Sequence, residues 1–161
     1  MPFHFSDILL ADMNNALRTA LNGGYVFVFA GAAPASPQDA LNMATTHTQM
    51  LRVSLNGTAT GITLQVSTND TIVKTTAEVW SGLVAFDGFQ SALTTLTPTF
   101  FRFCGLGDDG RSASTALRRI QGTVGGPASS ADLIFGSDTL TRNGVNTESI
   151  GAFRHVLRRQ S

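Results

Sequence analysis

The three histidines are the first residues to examine for acid–base or metal chemistry, because imidazole changes its charge near neutral pH. His4 lies close to the start of the sequence, His47 follows a Thr-rich segment, and His155 stands between Arg154 and Val156. No two of them have the spacing of an HxH or HExxH metal motif. We therefore interpret each as an ordinary surface or partly buried histidine and expect no metal site.

Nucleophilic catalysis would need an activated serine or thiol. The sequence has no GxSxG nucleophile elbow, and its Ser81-Gly82 and Gly136-Ser137 pairs are typical of turns. Cys104 is the single cysteine, which excludes an internal disulfide framework and a cysteine-based zinc site. A catalytic thiol needs a neighbouring base, and the sequence offers none beside Cys104. We interpret Cys104 as a small buried residue and expect no catalytic residue, no cofactor and no enzymatic activity.

The glycine-rich segment Gly105-Leu106-Gly107-Asp108-Asp109-Gly110 superficially resembles a phosphate-binding or calcium-binding loop. A phosphate loop requires a following helix and usually a Lys, but the next residues are Arg111-Ser112-Ala113-Ser114. A calcium loop requires spaced oxygen ligands and a bidentate Glu, which this segment lacks. An Asp-Gly β-turn is therefore the better interpretation.

Length and charge limit the function classes. With 161 residues, the chain is expected to form a single domain over residues 1–161. Only 14% of its residues are charged, and eleven basic residues cancel eleven acidic ones. A neutral chain argues against direct nucleic-acid binding and against an electrostatic membrane anchor. No apolar run approaches the roughly 20 residues of a membrane span, and no basic region typical of a signal peptide follows Met1.

One amphipathic helix is predicted over residues 5–22. Ser6 can cap its start, and Asn22-Gly23-Gly24 is a stop signal. Its apolar residues recur at three- and four-residue spacing, which places them on one face: Phe5, Leu9, Met13, Ala16, Leu17, Ala20 and Leu21. This face either packs on the domain's own sheet or docks on a neighbouring subunit.

From Gly24 onward the pattern changes to strands. Tyr25–Ala30 is a continuous apolar run that predicts a strand buried on both faces. Short alternating segments separated by turn signals then continue to Leu157, while Gln38–His47 is compatible with a short helical turn. We predict a mainly β protein, in which about 8–10 short antiparallel strands form a β-sandwich or jelly roll over residues 25–157.

Basic doublets and aromatic residues near the termini are the candidate contact residues. Alternation sends Arg118 and Arg119 to opposite faces of a strand, where subunit salt bridges or contact with an acidic surface are plausible. Few charges and one Lys suggest an exposed apolar patch, so we expect a homodimer or homotrimer. The candidates for contact with another subunit or with a larger assembly are Phe3, Phe5, Arg154, Arg158 and Arg159. The alternative is that both ends are frayed.

The order of segments resembles a family of small tailed-bacteriophage virion proteins, the capsid decoration or cement proteins. Members show a helix, an NGG motif, an IYSG-type strand, a Pro loop, a WFR strand, a DG turn and a G-x-V-G…ADL ending. The corresponding segments here are Asn22-Gly23-Gly24, Phe27–Gly31, Ala33-Pro34, Phe100-Phe101-Arg102, Asp108-Asp109-Gly110, Gln121–Gly125 and Ala131-Asp132-Leu133. The match covers most of the chain, although its motifs are short and structural.

This resemblance implies a jelly-roll-like protein on the capsid exterior, made in the bacterial host cytoplasm, that contacts the major capsid protein and copies of itself. It implies no catalytic residues. A tail- or neck-associated role is a second possibility. A carbohydrate-binding β-sandwich is a third, and it would need exposed aromatic side chains, for which Trp80 and Tyr25 are the candidates.

Overall fold

The computed structural model describes residues 6–66, 71–74, 78–142, 147–150 and 154–156. These residues form one helix and twelve strands, so strand exceeds helix and the prediction of a mainly β protein is confirmed. In chain order the elements are α1 Asp7–Leu21, β1 Tyr25–Ala30, β2 Thr48–Leu55, β3 Leu64–Val66, β4 Thr71–Lys74, β5 Trp80–Gly88, β6 Thr95–Leu96, β7 Phe100–Cys104, β8 Arg119–Gly125, β9 Leu133–Ile134, β10 Leu140–Thr141, β11 Thr147–Ile150 and β12 Arg154–Val156.

Seven of the strands form one sheet, in the order β11-β5-β2-β1-β7-β8-β9. Two smaller sheets pair β12-β4-β3 and β10-β6. All pairs among the described strands are antiparallel except β8 with β9, which run parallel and align Val124 with Leu133. The expectation of exclusively antiparallel strands is therefore wrong at this edge. The described pairings establish one large mixed sheet with two small ones.

Helix α1 begins and ends where the sequence signals predict. The Ser6 hydroxyl accepts a hydrogen bond from the backbone N–H of Leu9, at 3.3 Å, and Gly23 takes a left-handed φ of 79° beyond the last turn. The buried face matches the predicted one only in part: Leu17 and Leu21 of the predicted face pack toward the core, and Leu10 and Asn14 join them there. Leu9, Met13 and Ala16 of the predicted face are exposed.

The large sheet buries apolar side chains on both faces. On one face the central strands pack beneath α1 and the segments around β3, β9 and β10. We call this the main core; it includes Val26, Val28, Leu51, Val53, Trp80, Phe101, Phe103, Leu133 and Leu140. The opposite face carries a smaller cluster of Phe27, Phe29, Leu41, Phe100 and Cys104. Strand β1 contributes to both clusters, as its apolar run predicted.

Two long connections cover the smaller cluster. Residues 31–47 link β1 to β2, and residues 105–118 link β7 to β8. The two connections bond to each other, since the N–H of Leu41 donates to the carbonyl of Arg111 at 2.8 Å and the N–H of Ser114 donates to that of Gln38 at 3.0 Å. Together they form a layer over one face of the sheet, and polar side chains hold that layer in place.

Close backbone approach fixes the start of β1. A Cβ added at Gly24 would overlap the backbone carbonyl of Cys104 on the neighbouring strand. Only glycine leaves this space free, which is the physical reason for the second Gly of the Asn22-Gly23-Gly24 signal.

Candidate functional site

The most concentrated charges among the described residues lie beneath the two connections. Arg119 on β8 donates from Nε to Oδ2 of Asp108 at 2.6 Å and from Nη2 to Oδ1 at 2.7 Å. Both side chains are only 1% exposed. This two-point pairing is the geometry that arginine and carboxylate prefer. It ties the Gly105–Gly110 loop to the strand that follows it.

Hydrogen bonds decide the ionisation of this pair. Burial alone would raise the pKa of Asp108, but hydrogen bonds from Arg119 and from the N–H of Gly110 outweigh burial and hold that pKa below its ordinary value. The hydrogen bond to Asp108 raises the pKa of Arg119. Both groups are therefore ionised at neutral pH, and the carboxylate is fully engaged within the fold.

Arg102 is a second internal arginine. It lies on the sheet and binds the layer formed by residues 31–47 and 105–118. It is completely buried on β7. Its Nη1 donates to the carbonyls of Asp39 and Gly110, at 2.9 and 2.8 Å, and its Nε donates to the side chain of Gln121 at 3.0 Å. Burial, together with the positive charge of Arg119, lowers the pKa of Arg102. Arginine nevertheless stays protonated, and its planar donors join the sheet to both connections.

Cys104 is enclosed by the same cluster. Its side chain is 0% exposed, as the sequence interpretation expected, and it hydrogen-bonds with Asp108. Burial raises the pKa of the Cys104 thiol strongly, and the nearby negative charge of Asp108 raises it further. A thiol in this environment is protonated at neutral pH and is a poor nucleophile.

His47 is also committed to structure. It is buried, its Nδ1 accepts the backbone N–H of Asn42 at 3.0 Å, and its Nε2 lies 2.9 Å from the carbonyl of Ala32. Because the carbonyl can only accept, Nε2 carries the proton and Nδ1 carries the lone pair that Asn42 uses. Neither ring nitrogen is available to take a proton from a substrate.

The glycine-rich segment forms a turn, but its β-turn hydrogen bond runs from the N–H of Asp108 to the carbonyl of Gly105, at 3.2 Å, around Leu106-Gly107 and not around the predicted Asp-Gly pair. Gly107 and Gly110 take positive φ values of 85° and 71°. Asp108 caps the turn by accepting the N–H of Gly110 at 2.9 Å. Within the described part of the chain, no group of three or more His, Cys, Asp or Glu side chains is placed to hold a metal ion.

An open cleft of about 450 Å³ lies on the outer side of this polar cluster. Tyr25, Gln49 and Arg52 line it from the sheet, and Asp109 and Arg111 line it from the connection. The guanidinium of Arg52 lies over the Tyr25 ring, 4.8 Å from its centre. This cleft combines an aromatic ring with amide and charged groups. Trp80, the other aromatic candidate for carbohydrate stacking, is 0% exposed, so that candidate is wrong.

A turn after β5 displays apolar side chains to solvent. Phe89 is 54% exposed and Leu93 is 46% exposed. Phenylalanine is enriched at the cores of protein interfaces relative to the rest of the surface. We call residues 89–94 the Phe89 turn.

The backbone of the Phe89 turn is held firmly despite that exposure. It is anchored by hydrogen bonds from Phe89 N to His47 O at 3.1 Å, from Gln90 N to Thr48 Oγ1 at 2.9 Å, from Leu93 N to Gln90 O at 3.0 Å, from Arg142 N to Thr94 O at 2.8 Å and from Arg142 Nη1 to Ser91 O at 2.5 Å. An apolar anchor on a preordered turn loses little conformational entropy on binding.

The structure does not describe the side chains of the five contact residues chosen from the sequence. Phe3, Phe5, Arg158 and Arg159 lie outside the described residues. For Arg154, the structure describes the backbone as part of β12, which pairs with β4, and not the side chain. The terminal-contact hypothesis therefore stays a prediction.

Sequence reasoning missed Arg102 and the pairing of Asp108 with Arg119. A signal for Arg102 was present, because an arginine within Phe100-Phe101-Arg102-Phe103 must be buried if the strand is covered on both faces. Arg118 and Arg119 do differ in burial, but not by alternation within one strand. Arg118 lies before β8 and is exposed, whereas Arg119 begins β8 and pairs inside the chain with Asp108.

No helix in the described part of the chain is both long and apolar enough to span a bilayer. Comparison with protein-family models, with curated proteins and with solved structures found no match to this chain.

Proposed function

We propose that the protein is a structural virion protein of a tailed bacteriophage, a capsid decoration protein that binds the outside of the shell and stabilises neighbouring major capsid subunits. It acts by adhesion and not by catalysis. Many copies bind one shell, so that modest contacts add up through multivalency.

The observation that carries this proposal is the Phe89 turn. Phe89 and Leu93 each expose an apolar side chain on this one turn, which we call the apolar knob, and the surrounding hydrogen bonds hold its backbone in one conformation. A preordered apolar knob fits a groove on another protein better than it fits a small polar ligand. It therefore favours a protein surface as the partner.

The distribution of charge also supports adhesion to protein. The chain has few charged residues, and three of them, Arg102, Asp108 and Arg119, have buried side chains. The remaining surface consists mostly of uncharged side chains, both polar and apolar. Such a surface has little charge repulsion to oppose association with another protein. The segment order that resembles decoration proteins supports the same role, and the jelly-roll-like sandwich implied by that resemblance is part of the proposal.

Sedimentation with shells tests the proposal. The full-length protein is mixed with empty shells assembled from the major capsid protein encoded in the same genome, and bound protein is measured after pelleting. We expect saturable binding for the wild type and at least a tenfold weaker affinity for the Phe89→Ser/Leu93→Ser variant. A matched control, Leu83→Ser/Ile134→Ser, removes two other exposed apolar side chains and should bind as the wild type does.

Two results would count against the proposal. Absence of wild-type binding to the shells would refute the decoration role itself. Equal binding by the Phe89→Ser/Leu93→Ser variant and the wild type would show that the Phe89 turn is not the contact, and the decoration role would lose the observation on which it is built.

The open cleft lined by Tyr25, Gln49, Arg52, Asp109 and Arg111 favours a second candidate function, carbohydrate binding in a tail-associated or other binding protein. Sugars stack on aromatic rings and hydrogen-bond to neighbouring amide and carboxylate groups, and Tyr25, Gln49 and Asp109 supply these groups. A glycan array with the wild type and a Tyr25→Ala variant tests it. Binding that depends on Tyr25 would favour this function over shell decoration.

A further inference from the structure

Helix α1 carries a second apolar stripe beside its buried one. Leu9 is 45% exposed, Met13 is 37% exposed, and Ala16 and Ala20 continue the same line at spacings of three and four residues. These four residues lie about 100° around the helix from the buried Leu10, Asn14, Leu17 and Leu21, because consecutive residues are rotated by roughly 100°. The stripe therefore lies to one side of the buried face, outside the core formed by the described residues.

The two ends of this exposed stripe differ in size. Leu9 and Met13, at the N-terminal end, project as large side chains. Ala16 and Ala20, at the C-terminal end, are small and line a groove of about 370 Å³ together with Asn15, Thr19 and Arg118. Leu117 and Leu106, 42% and 75% exposed, lie beside it on the connection between β7 and β8. One end is thus a ridge and the other a groove.

We propose that this surface is a self-association site in which α1 packs antiparallel against α1 of a second copy around a two-fold axis. In the antiparallel register centred between Met13 and Ala16, the large Leu9 and Met13 of one copy face the small Ala20 and Ala16 of the other. The same contact occurs twice, as a two-fold interface requires. Small residues allow the ridge of the partner helix to approach closely.

Charges at the same surface favour a second copy as the occupant. Asp12 and Arg118 are both exposed, and neither makes an ion pair with any other described residue. Asp12 lies on the flank of the ridge, whereas Arg118 lines the groove. In the antiparallel register, Asp12 of one copy reaches the level of the groove in the other, next to Arg118. The ridge and groove are therefore complementary in charge as well as in size.

The primary test is the mass of the full-length protein in solution, measured by sedimentation velocity over a range of concentrations. We expect a reversible dimer. Met13→Asp, which places a charge in the contact, should weaken the dimer by roughly a hundredfold, since a buried unpaired charge is poorly tolerated. Ile8→Asn is the control on the same helix; Ile8 is 78% exposed and outside the stripe, and the change adds no charge beside Asp12, so this variant should dimerise as the wild type does.

Charge exchange distinguishes contact between copies from an effect within one chain. Asp12→Arg and Arg118→Asp should each weaken the homodimer by about tenfold, because each places like charges together at two points. An equimolar mixture of the two variants should dimerise as well as the wild type, because the mixed dimer restores both opposite-charge pairs. A destabilised fold cannot produce rescue on mixing.

A monomeric wild type at concentrations up to about 100 µM would overturn the proposal, because stable homodimers lie well below that dissociation constant. A dimer that is insensitive to Met13→Asp, or charge variants that show no rescue on mixing, would overturn it as well. Shell binding through the Phe89 turn is measured in a separate experiment. The shell-binding proposal and the self-association proposal can therefore fail independently of each other.

Discussion

Arg119 and Asp108 form a buried two-point ion pair, with donor–acceptor distances of 2.6 and 2.7 Å and both side chains 1% exposed. The pair joins the glycine-rich turn to β8. Arg119 also donates to the carbonyls of Pro37 and Ser112, at 3.2 and 2.8 Å, and so reaches both covering connections. One guanidinium thus joins β8 to the connection that precedes it and to the distant connection between β1 and β2.

Removal of one partner of this pair should destabilise the protein severely. In Asp108→Asn, the Arg119 charge stays buried without its counter-ion, and the expected loss is about 3–5 kcal/mol in the free energy of unfolding. Urea denaturation monitored by circular dichroism gives this value. Asp87→Asn is the matched control, because it breaks the exposed ion pair between Asp87 and Arg111 and should cost about 1 kcal/mol or less.

The same comparison can contradict the argument. Equal destabilisation by Asp108→Asn and Asp87→Asn would mean that the buried pair contributes no more than a surface pair. The internal arrangement described for Arg119 would then not be the one that stabilises the native protein.

Asp108 should also make the free energy of unfolding depend on pH in the acid range. Its pKa is depressed in the folded state relative to the unfolded chain, so its stabilising contribution is complete above the unfolded pKa of about 4 and is lost as pH falls toward the folded pKa. The difference in unfolding free energy between the wild type and Asp108→Asn should therefore shrink as the pH is lowered from about 5 to about 2. Between pH 6 and 8 that difference should stay constant, because Asp108 is ionised in both states. A difference that grows on acidification would reverse the assigned sign.

The local elements could be predicted from the sequence because their signals are local. Ser6 caps α1, Asn22-Gly23-Gly24 ends it, and the apolar run Tyr25–Ala30 forms a strand buried on both faces. These features depend on backbone conformation and on side-chain periodicity, which short windows of sequence contain.

The pairing of distant residues could not be predicted in the same way. The periodicity of α1 marks a wide apolar arc, but it does not reveal that Leu10 faces the core and Leu9 faces outward. That choice depends on which strands lie beneath the helix. The parallel pairing of β9 with β8, and the contact of Asp108 with Arg119, likewise depend on the paths of connections that carry no periodic signal.

The candidate site shows the same limit. Of the two aromatic residues proposed for carbohydrate stacking, Trp80 is buried and packs edge-on against Phe103, whereas Tyr25 lines a cleft. Both stand near the start of a strand, and the sequence does not tell which face of the sheet is covered. The exposure of Phe89 could not be predicted either, since exposure of a single phenylalanine has no sequence signature.

Cys104 offers a measurement of how tightly the covering layer is held. Its thiol is fully buried, and burial with the nearby Asp108 charge raises its pKa strongly, so iodoacetamide at pH 8 should label it only when the layer opens or the protein unfolds. In Asp108→Asn the layer loses its ion pair with Arg119. We therefore expect Cys104 to be labelled at least tenfold faster than in the wild type, with the labelling rate measured by intact mass spectrometry. Asp87→Asn should label at the wild-type rate, and all three proteins should label rapidly in guanidinium chloride, where the thiol is exposed.

Rapid labelling of the native wild type would contradict the burial of Cys104. Equal rates for the wild type and Asp108→Asn would instead show that opening of the layer does not depend on the Asp108–Arg119 pair, and that Arg102 with its bonds to both connections is sufficient to keep it closed.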